Sequence, residues 1–171
     1  MNDKSNELPG TPLSEKDFQD GKILFVHDEL RGDFAWDTGI AIGRYLAALK
    51  DGVLLGARCN TCRKTVIPPR TVCEWCFRPM DDYVPLGDSG TVNTFSLCYV
   101  TWDVQRVKEP EIPAVIEIDG ASPLHGIMHM LGEVDPDAVH IGMRVQAVWK
   151  PPEERSGSIT DILYFKPIEE V

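Results

Sequence analysis

Two Cys-x-x-Cys pairs, Cys59-Asn60-Thr61-Cys62 and Cys73-Glu74-Trp75-Cys76, constrain this chain more than anything else in it. Each pair turns as one knuckle offering two thiolates, and the short stretch between them can bring the knuckles together around a tetrahedral ion. Zn2+ accepts four sulfurs without a redox role, and four protein ligands leave no open position for water or substrate. The spacing therefore predicts a structural zinc ribbon whose ligands are Cys59, Cys62, Cys73 and Cys76, not a catalytic metal. Lys64-Thr65-Val66-Ile67 reads as a short β-branched strand between the knuckles, and Pro68-Pro69 as the turn back. A pair of disulfides is the competing reading. It needs an oxidising compartment, and the polar start Met1-Asn2-Asp3-Lys4-Ser5 leads into nothing resembling an export signal. A cytoplasmic, reducing setting is expected. No apolar run approaches the length of a membrane span, so no membrane association is expected either.

Charge narrows the choice of partner. The whole chain carries a formal -10. Between Ala57 and Pro79 the cations Arg58, Arg63, Lys64, Arg70 and Arg78 face the single acid Glu74, a local +4 that leaves -14 on the remainder. Four thiolates and Zn2+ lower the ribbon to about +2. An acidic body with a mildly basic ribbon is poorly suited to gripping a nucleic-acid backbone, which takes a continuous basic surface. A few phosphates of a small ligand remain within its reach.

Ahead of the ribbon, Met1 to Gly10 reads as a solvated tail. Thr11-Pro12 opens a short helix that Gly21 ends, and His27-Asp28-Glu29 reads as a turn after the short apolar run Ile23-Leu24-Phe25-Val26. A stronger helix runs from about Thr38 to Lys50, capped by Asp37 or Thr38 and stopped by Asp51-Gly52. Ile42, Tyr45, Leu46 and Leu49 fall on one face of it. That stripe suits either its own chain or another subunit. Gly43 costs about 1 kcal/mol against Ala within a helix, which suggests close approach by another backbone. Trp36, just before the helix, reads as a partner anchor or a hydrophobic staple.

Beyond the ribbon the pattern changes to short strands: Gly90–Tyr99, Ala114–Ile118, Leu124–Leu131, Met143–Trp149 and Ile159–Phe165. Asp135-Pro136-Asp137 marks one helical turn. About five strands with short links fit a small Greek-key barrel of the OB type, with 102–112 and 151–157 as its long polar loops. No nucleophile motif, phosphate loop or dinucleotide fingerprint occurs. His125 and His129 lie four apart within a predicted strand, a weak pattern for a second metal. Cys98 reads as a small hydrophobe in an apolar strand, and Trp75 as a cover for the metal. No catalytic constellation emerges, and a non-enzyme is expected.

The combination Trp36-Asp37-Thr38-Gly39, Gly43-Arg44-Tyr45-Leu46, Leu49-Lys50-Asp51-Gly52, Arg58-Cys59 and Pro68-Pro69-Arg70 resembles the OB-fold/zinc-ribbon family catalogued as domain of unknown function thirty-five. Ile141-Gly142-Met143-Arg144-Val145, Gly157-Ser158-Ile159-Thr160-Asp161-Ile162 and Tyr164-Phe165-Lys166-Pro167 resemble it too. The likeness spans Trp36 to Pro167, with one departure: Arg63 follows Cys62 where such ribbons often have Gly. The resemblance implies a mainly β chain with N-terminal helices, a rubredoxin-like ribbon and a five-stranded OB barrel. The corresponding divisions are 1–35 (tail and short helix), 36–52 (docking helix), 53–82 (ribbon) and 83–171 (barrel). It further implies a non-catalytic subunit in a hetero-oligomer with a thiolase-like enzyme, with a CoA thioester at or near the interface. Trp36, Ile42, Tyr45, Leu46 and Leu49 would then dock the partner, and Arg70 would meet CoA phosphates. Small subunits of bacterial thiolases that cleave unusual 3-oxoacyl-CoAs, benzoylsuccinyl-CoA among them, are similar in kind. The alternative is a single-stranded nucleic-acid-binding ribbon/OB module, since both parts serve that purpose elsewhere. The charge balance counts against it.

Overall fold

The computed structural model describes residues 14–23, 26, 32, 34–101 and 103–168. The expected tail, the Thr11-Pro12 helix start, Leu24 and Phe25 of the run 23–26 and the turn 27–29 lie outside the described residues. Two compact units emerge, Met1–Trp36 and Asp37–Val171.

In the first unit, α1 (Glu15–Gln19) starts after Ser14, whose backbone N–H and hydroxyl both donate to Asp17 Oδ2, at 3.0 and 2.6 Å. Gly21, at φ +67°, follows its end. Farther along, Phe34 and Trp36 stack with ring centroids 5.9 Å apart.

The second unit opens with α2 (Gly39–Lys50). Asp37 Oδ1 accepts the Gly39 N–H at 2.9 Å, satisfying an amide that the first turn leaves without a helical partner. At the other end, Gly52 takes φ +75° while its N–H donates to Leu49 O and that of Val53 to Ala48 O, the left-handed stop that Asp51-Gly52 announces. A three-stranded sheet follows, β1 (Leu55–Arg58) between β2 (Thr65–Val66) and β3 (Asp82–Pro85), all antiparallel.

The barrel strands are β4 (Ser89–Phe95), β7 (Pro113–Ile118), β8 (Gly126–Met130), β9 (Arg144–Trp149) and β10 (Ile162–Pro167), in the order β10-β9-β4-β7-β8. A parallel bridge, Leu131 with Phe165, brings the last strand round to the first, and the Gly132 N–H donates to Phe165 O at 2.9 Å. Antiparallel neighbours, with β9 crossing back to pair with β4, closed by one parallel junction are the OB arrangement, and the fold is mainly β as expected. Beyond the barrel, β5 (Cys98–Val100) and β6 (Arg106–Glu111) extend the β4/β7 hairpin as a separate two-stranded arm.

One apolar cluster holds the unit together. Tyr45 and Leu49 of α2 join Val92, Ile116, Val145, Ile162 and Phe165 in it, Leu49 being 0% and Tyr45 4% exposed. Burying each such side chain contributes about 1.5–3 kcal/mol. No described helix is long and apolar enough to cross a membrane.

Several expectations change. The α2 stripe turns inward, so Tyr45 and Leu49 are core residues rather than docking residues, buried in the same cluster as Ile162 and Phe165. Ile42 and Leu46 lie half-buried at the edge of that packing. No described backbone approaches Gly43, where among the described residues a Cβ would meet only Thr38 Oγ1 at 3.7 Å. The close approach is made by Gly157 instead. It sits at φ +86°, and a Cβ there would stand 3.0 Å from Leu46 O. The fully buried Asp161 carboxylate fixes that loop by accepting the N–H groups of Ser156, Gly157 and Ser158 at 3.0, 2.7 and 3.0 Å. The segment 102–112, expected as a loop, carries β6, because a projecting hairpin has no core face and so shows no alternation. Ile159–Asp161, expected as strand, is a 3-10 turn that precedes β10.

Candidate metal centre and the surfaces around it

The two knuckles are built alike. The Cys59 N–H donates to Lys64 O and the Cys73 N–H to Arg78 O, both at 2.8 Å, so each chain segment curls back five residues on. After the second cysteine of each knuckle the chain turns left-handed, with Arg63 at φ +60° and Phe77 at φ +50°. That is the conformation a glycine adopts without strain, so Arg63 accepts a modest backbone cost in place of the usual residue.

All four sulfurs lie within 4.8 Å of one another, with Cys62 and Cys73 Sγ 3.5 Å apart. Zn–S bonds of ~2.3 Å at tetrahedral angles place sulfurs about 3.8 Å apart. All four cysteines are free thiols rather than disulfides. The electrostatics agree with a cation at the centre. Backbone N–H groups of the first knuckle, that of Cys62 foremost, draw the Cys59 thiol down to about 7, whereas sulfur neighbours, Cys62 foremost, and burial push Cys76 up to about 12. One thiolate is welcome there and four are not unless a dication neutralises them. The residues fit Zn2+, with a closed donor set and a structural role.

The ribbon is stitched to the barrel. The Thr65 N–H donates to Ser122 Oγ at 3.0 Å and the Ser122 N–H to Thr65 O at 2.8 Å. From the second knuckle, Trp75 packs on the His125 ring with centroids 5.2 Å apart, and His125 Nε2 lies 3.4 Å from Glu74 Oε1. Sequence reading missed this role, for which the aromatic inside the knuckle was the one available signal. Trp75 is half-exposed against His125 and Lys64. His129 stands elsewhere: its Nδ1 accepts the Met130 N–H at 2.9 Å and its Nε2 faces Ile159 O at 3.3 Å. The two histidines form no joint metal site, and the four-cysteine cluster is the metal-binding group found among the described residues.

The remaining predicted residues divide. Arg70 forms an ion pair with Glu74 and borders a cleft of about 380 Å³ between Pro69–Thr71 and the first turn of α2. Lys64 lies over the Trp75 ring and Arg44 over that of Tyr83, so these cations are engaged within the chain rather than aligned for a phosphate backbone. Cys98 is half-buried on the projecting arm, not within the core. Trp36 is 83% exposed. The ribbon also shows apolar side chains that the sequence did not single out: Val72 is exposed, and Phe77, held out on its left-handed turn, is 84% exposed.

Comparisons with known proteins agree with this geometry. Residues 46–81 match the family model described as the ChsH2 rubredoxin-like zinc ribbon domain, and 83–150 match the ChsH2 C-terminal OB-fold domain. A DUF35 domain-containing scaffold protein of Methanocaldococcus jannaschii is 32% identical over 119 residues, covering 68% of this chain and 82% of that protein. One from Methanothermobacter thermautotrophicus is 24% identical over 117 residues, covering 67% and 86%. Among solved structures, a DUF35 family protein from Sulfolobus solfataricus superposes with TM-score 0.58 at 19% identity, covering 76% of this chain and 85% of that one. A chain of the Ltp2-ChsH2(DUF35) aldolase gives TM-score 0.57 at 21% identity, covering 79% and 98%. The last two show likeness of fold.

Proposed function

This chain belongs to the DUF35 family of zinc-ribbon/OB-fold proteins, and from that premise we propose that it is a non-catalytic accessory subunit of a thiolase- or aldolase-type acyl-CoA enzyme in the cytoplasm. The observation that carries the reading is Phe77: a large apolar side chain, 84% exposed, on a turn that the metal knuckle fixes. A rigid, exposed aromatic is the usual anchor of a protein interface. Val72 and Ile40, also exposed, extend the apolar surface available to the partner. The scaffold-protein names of the two archaeal relatives and the aldolase complex of the ChsH2 neighbour support an assembly role.

In its finer form the partner is a thiolase that cleaves or forms a 3-oxoacyl-CoA, for which benzoylsuccinyl-CoA is one substrate to assay. Arg70, at the mouth of the cleft beside α2, is the residue we assign to CoA phosphate, exchanging Glu74 for the ligand. Trp36 and the half-buried Ile42 and Leu46 remain docking candidates, whereas Tyr45 and Leu49 do not.

The test is capture of the tagged, zinc-loaded chain from its native organism, with co-purifying proteins identified by mass spectrometry. Thiolase assays follow on the recovered enzyme with and without the chain. A near-stoichiometric thiolase- or aldolase-like partner that Phe77→Asp fails to retain, while keeping zinc and fold, is the expected result. A chain recovered alone, or a Phe77→Asp variant that holds the same partner undiminished, overturns the reading.

A further inference from the structure

The seam where the barrel closes carries an apolar trough. Its first part, about 340 Å³, lies between α2 (Ile42, Leu46) and β8; its second, about 510 Å³, continues along β8 to Met130, with Leu163 of β10 also in its wall. Met128, 72% exposed, and Ile159 line both. From Gly126 to Met130 the strand rises about 13 Å, so the trough suits an extended occupant rather than a compact one. Both volumes fall in the range of small-molecule sites.

The polar groups around it define the chemistry. His129 is spoken for: accepting the Met130 N–H leaves its ring proton on Nε2, facing Ile159 O. It is wall, not ligand. Lys150 is different. It lines the second part, is half-buried, and its ammonium forms no ion pair among the described residues. Asp161 acts on it electrostatically, but that carboxylate is taken up by three backbone N–H groups. A lysine lining a trough walled by methionine and isoleucine, its neighbouring carboxylate already committed to backbone N–H groups, favours an anion supplied from outside. In the first part, Tyr45 adds a buried hydroxyl with no partner among the described residues.

We propose that this trough binds an extended apolar carboxylate, its chain along Met128 and Ile159 and its carboxylate on Lys150. The proposal goes beyond the docking role and does not rest on it, since the site lies within one chain and needs no partner enzyme.

Decanoate and 1-decanol, titrated by calorimetry into the full-length, zinc-loaded chain, test it directly. Saturable binding of decanoate is expected, tighter than that of decanol by about tenfold or more, the worth of one charge-assisted hydrogen bond. Lys150→Met should lose that preference, bind decanol as before, and unfold at the wild-type temperature. Equal affinity for the acid and the alcohol, or an unchanged preference in Lys150→Met, overturns the assignment. So does absence of saturable binding; if Met128→Asp then also loses a captured partner, the trough is a protein interface instead. Failure of the Phe77→Asp test leaves this proposal standing, because its readout involves no partner.

Discussion

Replacing Tyr45 with Phe should make this protein more stable, although Tyr45 is 4% exposed and central to the α2 packing. The ring keeps its burial in Phe, so no apolar contact is lost. What disappears is a hydroxyl that has left water and gained no partner among the described residues. Such a group costs about 1–3 kcal/mol, and removing it without changing shape should return about 1 kcal/mol. For a unit of this size that is a rise of about 3 °C in melting temperature.

A second signature lies at alkaline pH. Burial holds the Tyr45 hydroxyl proton on, raising its pKa from the ordinary 10.0 to about 12. The unfolded chain ionises first, so this contribution to stability is complete below pH 10 and is lost as pH rises towards 12. The loss is on the order of 2–3 kcal/mol. Tyr164, raised chiefly by its hydrogen bond to Glu133, responds in the same sense in both proteins, so the difference between them isolates Tyr45. Urea unfolding followed by tryptophan fluorescence, with zinc present, at neutral pH and near pH ~11 measures both effects. A Tyr45→Phe protein less stable by more than about 1 kcal/mol at neutral pH would show that the hydroxyl has a partner, and one as alkali-sensitive as wild type would show that burial does not hold its proton.

Cys73→Ser should lose tightly bound zinc and the order of the ribbon; stoichiometric zinc with unchanged unfolding refutes the ligand set. Gly43→Ala should gain about 1 kcal/mol, since no described backbone comes near it, and a loss of stability would reveal an occupant of that helix face. Asp161→Ala should cost about 3 kcal/mol by leaving three N–H groups unpaired and freeing the 156–158 loop from α2. Burial raises the Asp161 pKa, but those N–H groups and Lys150 outweigh it and the net shift is downward. Its stabilisation should therefore be present above pH ~4 and disappear as pH falls through its depressed folded value, which acid titration of wild type against the variant measures.

The ribbon was legible because cysteine spacing encodes geometry directly: four ligands of one type leave few arrangements. The barrel was legible because β4, β7 and β9 have a buried face that writes itself as alternation, as in the inward Ala114, Ile116 and Ile118 of β7. Where that cause is missing, the reading failed. The arm strand β6 has charges on both faces and a proline, and it pairs with β5 outside the core. Periodicity identified the apolar face of α2 but not what it meets, because part of what it meets, the 159–161 turn, comes from the far end of the chain. Lys150 carries no motif, and its place on the trough wall is a matter of how the end of β9 meets the 159–161 turn. Phe77 was passed over because its exposure comes from a left-handed turn, which the Cys-x-x-Cys pattern implies only for the residue's backbone.

The order in which ribosomes make this chain sets a constraint of its own. Tyr45 and Leu49 are the first members of the core cluster to be synthesised, and Ile162 and Phe165 the last. The knuckles can fold around zinc as soon as Cys76 emerges, since every ligand is local. The helix beside them packs on β1 and on the 159–161 turn, so part of its apolar face stays uncovered until that turn is made, an interval in which a nascent chain is prone to aggregate.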